Sequence, residues 1–148
     1  MKTVKARWAE IDRAIEIVAE SRRTHERSLS WYERHPGEET KHAPIRGGSA
    51  WDRQWIVDYD FVLSVLRAAR CMETVKPRWA DIDRAIEIMA ASRRCHESWL
   101  GWYERHPAEE IKYAATGEDS AWHRQHIADY EYVLSVLRSA RERALDYE

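Results

Sequence analysis

TVKARWAEIDRAIEI at residues 3–17 returns as TVKPRWADIDRAIEI at residues 74–88. Carried outward from that match without a gap, residues 3–70 align with 74–141, and 46 of the 68 aligned positions are identical. SWYERHP (30–36) returns as GWYERHP (101–107), and DYDFVLSVLRAAR (58–70) as DYEYVLSVLRSAR (129–141). A repeat of this length reads as one supersecondary unit written twice. Its copies diverge most at 44–48 against 115–119, where all five residues differ, and that stretch reads as an exposed loop, where packing constrains sequence least. Met72 stands in the frame of Met1. A fusion of two copies of a dimer-forming hairpin, natural or engineered, fits this, and so does ordinary gene duplication.

Each unit carries two apolar stripes of helical period. The first runs Trp8, Ile11, Ile15, Val18, Arg22, His25, Leu29, Tyr32, and again Trp79, Ile82, Ile86, Met89, Arg93, His96, Leu100, Tyr103. Steps alternate between three and four residues, the spacing of a bundle seam. The helix is expected to stop near His35, because Pro36 disfavours helical geometry in the residue before it; His106-Pro107 repeats the stop. A loop of about a dozen residues is expected next, long for a helical hairpin. Ser49 then reads as the N-cap of the second helix, with Asp52 completing a capping box. That helix places Trp51, Trp55, Ile56, Tyr59, Val62, Leu63 and Leu66 on one face; its copy places Trp122, His126, Ile127, Tyr130, Val133, Leu134 and Leu137.

Only residues 71–75 separate the units, and Pro77 is tolerated in a first helical turn. A short turn makes neighbouring helices antiparallel. The expected fold is therefore all-α, an up-down-up-down four-helix bundle built from two tandem helical hairpins (3–70 and 74–141) with pseudo-twofold symmetry, residues 1–148 forming a single domain. The rival is one long helix kinked at Pro77, which would drive the chain toward an intertwined dimer.

Pairing two antiparallel helices about the loop sets Tyr32 beside Trp51, Leu29 beside Trp55, His25 beside Asp58 and Tyr59, and Arg22 beside Val62. One exchange fits this register: Ser28 and Trp55 become Trp99 and His126, so that a large ring changes helix while volume is kept. Arg22, His25, Asp58 and Tyr59, with Arg93, His96, Asp129 and Tyr130, would then form a central polar layer. Burying such groups alone costs several kcal/mol each, so they must pair with one another, with water or with a ligand. A self-satisfied network would fix register. A ligand pocket would use the guanidinium groups on an anion and the rings on a flat body.

The charge balance is -2, with both signs interspersed, which argues against a nucleic-acid footprint or a polybasic membrane surface. No apolar run is long enough to span a bilayer. Cys71 and Cys95 sit in no paired spacing, so a soluble protein of a reducing, cytoplasmic compartment is expected. Eight Trp and seven Tyr against one Phe suit cores with wet spots and ligand pockets.

No nucleophile motif is present, and no catalytic residue is assigned. His123, His126 and Asp129 share a helix face, but the first unit has Asp52 and Trp55 at the histidine positions, so no metal site and no cofactor are expected. The leading functional reading is a non-catalytic bundle protein, monomer or homodimer, binding a small anionic or aromatic ligand or a protein partner through these eight residues. The alternatives are a small acid–base enzyme using His–Asp pairs, and a structural or engineered tandem scaffold.

Overall fold

Thr3 begins the first helix by offering its side-chain oxygen to an amide with no partner inside the helix: Ala6 N–H donates to Thr3 Oγ1 at 3.1 Å. In a computed structural model, which describes residues 2–38, 48–71, 77–114 and 117–145 and the side chains of all of these except 112–114 and 145, the helix α1 runs Val4–Arg34. It is followed by α2 (Gly48–Arg70), α3 (Trp79–Arg105), the short α4 (Pro107–Ala114) and α5 (Ser120–Leu145), with one further helical turn at 36–38. The described residues contain no strand. None of the described helices is long and apolar enough to cross a membrane.

The chain divides into two compact units, Met1–Pro77 and Arg78–Glu148. In the first, α1 packs on α2; in the second, α3 packs on α5, and α4 touches α3. Asp12 meets Arg70, Arg22 meets Asp60 and His25 meets Asp52, so the partners descend along α2 as they rise along α1, and the two helices are antiparallel. Arg141 meets Asp83 and Arg93 meets Glu131 in the same sense on α3 and α5.

Helix ends follow local chemistry. His35 leaves helical geometry (φ -133, ψ 63) directly before Pro36, and its N–H still reaches Trp31 O and Tyr32 O. His106 before Pro107 also leaves helical geometry (φ -135, ψ 62), its N–H reaching Tyr103 O. Three expectations are corrected. Residues 107–114 are helical rather than loop: Pro107 presets the first-turn φ, and Glu109 and Glu110 face the positive end of the helix. Ser49 is not the N-cap, since α2 already starts at Gly48, whose φ of 67 suits glycine, and Ser49 Oγ instead accepts from the Arg53 guanidinium. At the matching end of α5 the cap is Asp119, whose carboxylate accepts from Trp122 N–H at 2.9 Å. Pro77 lies outside α3, which starts four residues later than α1 would suggest. Ala6 gives its N–H to a capping hydroxyl, whereas Pro77 at the equivalent place has no N–H to give. α2 ends at Arg70 and α3 begins at Trp79, so the long kinked helix is not formed. Residues 39–47, 72–76 and 115–116, which hold most of the expected loop and turn, lie outside the described residues.

The buried stripe keeps every second residue of the expected one and takes, between them, the residue one place earlier. Along α1 it runs Ile11, Ala14, Val18, Ser21, then half-buried His25 and Ser28, then buried Tyr32. Trp8 is instead exposed, with the Arg70 guanidinium over its ring at 5.2 Å while Arg70 holds Asp12. Along α2 the stripe runs Asp52, Trp55, Tyr59, Val62, Leu66, Ala69, again stepping by three and four. The second unit buries Ile82, Ala85, Met89, Ser92 and Tyr103 against His123, Tyr130, Val133, Leu137 and Ala140.

This placement separates core from rim in energy. Leu66→Ala should cost about 2–5 kcal/mol in urea unfolding, as cavity-forming changes do. Arg22→Ala, at a solvent-screened ion pair, should cost less than about 1 kcal/mol. Similar costs for the two would contradict the seam described.

Candidate functional site

His25 lies on the seam with its side chain only 16% exposed, against an Asp52 side chain that is 4% exposed. Its Nδ1 is 2.7 Å from Asp52 Oδ1. A carboxylate only accepts, so Nδ1 carries the proton. Ser28 Oγ donates to the other carboxylate oxygen, Oδ2, at 2.9 Å. The buried charge thus has one donor on each oxygen, the condition for holding a carboxylate inside an apolar seam. Rings enclose the imidazole: Trp51 edge-on at 5.3 Å, Trp55 stacked at 6.1 Å and Tyr59 tilted at 5.7 Å. With Nδ1 fixed, Nε2 is left as an acceptor, and among the described residues no hydrogen bond to it is formed.

The second unit builds a different cluster at the same places. His96 Nδ1 lies 2.8 Å from His123 Nδ1, His123 standing where the first unit has Asp52. His126, in place of Trp55, stacks on His96 at 4.8 Å, and its Nδ1–H donates to Trp122 O at 2.9 Å. Trp99, in place of Ser28, stacks on His123 at 6.0 Å with 9° between planes. Trp122 and Tyr130 complete the ring about His96. Cys95, next to His96 in sequence, is half-buried, and burial pushes its thiol pKa up. Among the described residues no group of three or more His, Cys, Asp or Glu side chains is gathered around one metal-sized position.

The expected site residues separate. His25 with Tyr59, and His96 with Tyr130, are brought together, and both tyrosines are 2% exposed. Arg22 is not in the core: its guanidinium pairs with Glu26 and with Asp60, at 2.5 Å to Oδ1. Arg93 pairs likewise with Glu97 at 3.1 Å and Glu131 at 2.8 Å. The buried polar place beside each arginine belongs to Ser21 or Ser92. Asp58 and Asp129 do not meet the histidines; each accepts from the glutamine one turn earlier, Gln54 or Gln125, at 3.0 Å. The residues missed were Asp52, Ser28 and His123. Carrying the step of α2 back from Tyr59 through Trp55 lands on Asp52, whereas Asp58 never lies on that stripe.

WYERHP closes α1 and α3 with paired rings: Trp31 stacks on His35 at 4.6 Å and Trp102 on His106 at 4.7 Å. Buried Tyr103 donates its hydroxyl proton to Glu118 O at 2.8 Å, tying the end of α3 to the start of α5. Glu110 of α4 accepts from Ser120 N–H at 2.7 Å, and hydrogen bonds from Ser120 hold its carboxyl below the usual range. Compared with known protein families, curated proteins and solved structures, the chain matches none.

Asp52→Ala removes the acceptor for two groups and should cost about 2–3 kcal/mol, whereas Asp58→Ala, which loses one helix-surface pair, should cost about 0.5 kcal/mol or less. Urea denaturation of the two variants decides between Asp52 and Asp58 as the partner of His25.

Proposed function

We propose that the chain is a non-catalytic four-helix-bundle protein which binds a small flat ligand, or the aromatic side chain of a protein partner, at the imidazole clusters of its seams. In this reading the repeat closes as an up-down-up-down four-helix bundle. Neither Cys71 nor Cys95 forms a disulfide, which suits a reducing, cytoplasmic setting.

The observation that carries the binding reading is the His25 site. Asp52 orients the ring, Nε2 is left to accept a hydrogen bond, and Trp51, Trp55 and Tyr59 supply faces for stacking. A flat aromatic molecule with one N–H or O–H fits that chemistry. Recognition of an anion by Arg22 and Arg93 has less support, because each guanidinium already faces two carboxylates. Ser28 turns its hydroxyl to Asp52 rather than to His25, which leaves a nucleophile-plus-base pairing at this imidazole without support.

Indole serves as the probe. Titrated into the chain to millimolar concentration, it should shift the His25 ring C–H resonances saturably. His25→Phe, which keeps a ring but loses the acceptor, should weaken binding by about tenfold, one hydrogen bond's worth. Unshifted His25 resonances throughout the titration would contradict the proposal.

A further inference from the structure

Two helix pairs of nearly one sequence in one chain face a choice of partner. The buried seam residues Ile11, Ala14, Ser21 and Tyr32 of α1 return on α3 as Ile82, Ala85, Ser92 and Tyr103, with Val18 against an adaptable Met89. Tyr59, Val62, Leu66 and Ala69 of α2 return on α5 as Tyr130, Val133, Leu137 and Ala140. The rim repeats as well: Asp12–Arg70 returns as Asp83–Arg141, and Arg22–Asp60 as Arg93–Glu131. By these residues alone, α1 would accept α5 and α3 would accept α2.

The contacts that tell the hairpins apart lie at two facing positions: 28 or 99 on the first helix, 52 or 123 on the second. Asp52 and His123 are both buried, so what meets them weighs on stability. Ser28 meets Asp52 with a hydroxyl donor at 2.9 Å. Trp99 meets His123 with the face of its ring, at 6.0 Å with 9° between planes. Exchanging partners spoils both contacts. α3 on α2 would bring the negative face of the Trp99 ring, in place of a donor, to a buried carboxylate. α1 on α5 would set the small Ser28 where an indole covers His123, leaving that volume unfilled. His25 and His96 do not choose, because a ring N–H bonds a carboxylate or an imidazole nitrogen alike. Neither do Trp55 and His126, each of which stacks on an imidazole.

We propose that Ser28–Asp52 and Trp99–His123 form a pairing code. Each matched contact keeps a first helix on the second helix of its own hairpin and turns away the near-identical one of the other. The code needs no ligand and stands apart from the binding reading.

Partner choice is read in the full chain by thiol cross-linking after refolding from urea. Asp12→Cys, Arg70→Cys and Arg141→Cys, with Cys71→Ser and Cys95→Ala, let a short bis-maleimide join position 12 either to position 70 of its own hairpin or to position 141 of the other. Peptide mapping gives the ratio. With the code intact, the 12–70 link should dominate. Asp52→His with His123→Asp keeps the composition but matches each first helix to the other hairpin. It should move the ratio toward the 12–141 link by about tenfold or more, the worth of one buried hydrogen bond. Adding Ser28→Trp and Trp99→Ser matches each hairpin to itself again, and should restore both the parent ratio and the parent Tm. This last chain decides the matter even where the exchanged chain fails to fold. A folded exchanged chain with the parent ratio would overturn the code, as would a rematched chain that recovers neither ratio nor Tm.

Discussion

An imidazole set among apolar side chains has to be given a partner for its ring nitrogen, and the helix pairs are arranged around that demand. His25 and His96 sit midway along seams whose buried residues are mostly Ile, Val, Met, Leu, Ala and Tyr. A buried polar atom left alone costs about 1–3 kcal/mol, a large share of the stability of a domain this size. Asp52 and His123 meet that cost at one distance, 2.7 and 2.8 Å, from the facing helix. The contact also selects register, because sliding one helix by a turn would strand both groups. The rim pairs Arg22–Asp60 and Arg93–Glu131 lie at the same register but are open to solvent and contribute less.

The helical content, the stops at His35 and His106 and the alternation of three and four were legible in the residues. The choice of stripe was harder. Ile11, Val18, His25 and Tyr32 belong to two stripes at once: one continues through Trp8, Ile15, Arg22 and Leu29, the other through Ala14, Ser21 and Ser28. Side-chain size favours the first. The seam uses the second, because small residues let two backbones approach while long ones flank the contact and reach solvent. Trp8 shows the consequence, lying partly exposed beneath Arg70. Helix α4 escaped notice for a different reason: eight residues between a proline and a variable segment are too few for periodicity to speak.

The site was half legible. The seam histidines and their tyrosines stood out because they broke or extended an apolar pattern. Asp52 was hidden by reading it as part of a cap, and Asp58 took its place as the nearest acid in height. The differences between the units held the correction. Ser28, Asp52 and Trp55 change together into Trp99, His123 and His126, and all three positions touch one side chain or its partner. Read as a swap of volume between two positions, that exchange is incomplete. Read as a change of partner for one imidazole, with hydroxyl and ring adjusted around it, all three substitutions have a cause.

The account rests most directly on the proton of His25. Long-range 1H–15N correlation at neutral pH reports which ring nitrogen carries it. The structure predicts the Nδ1–H form, shared with Asp52 and lost in Asp52→Ala. A His25 found as the Nε2–H form that free histidine favours, unchanged by Asp52→Ala, would contradict it.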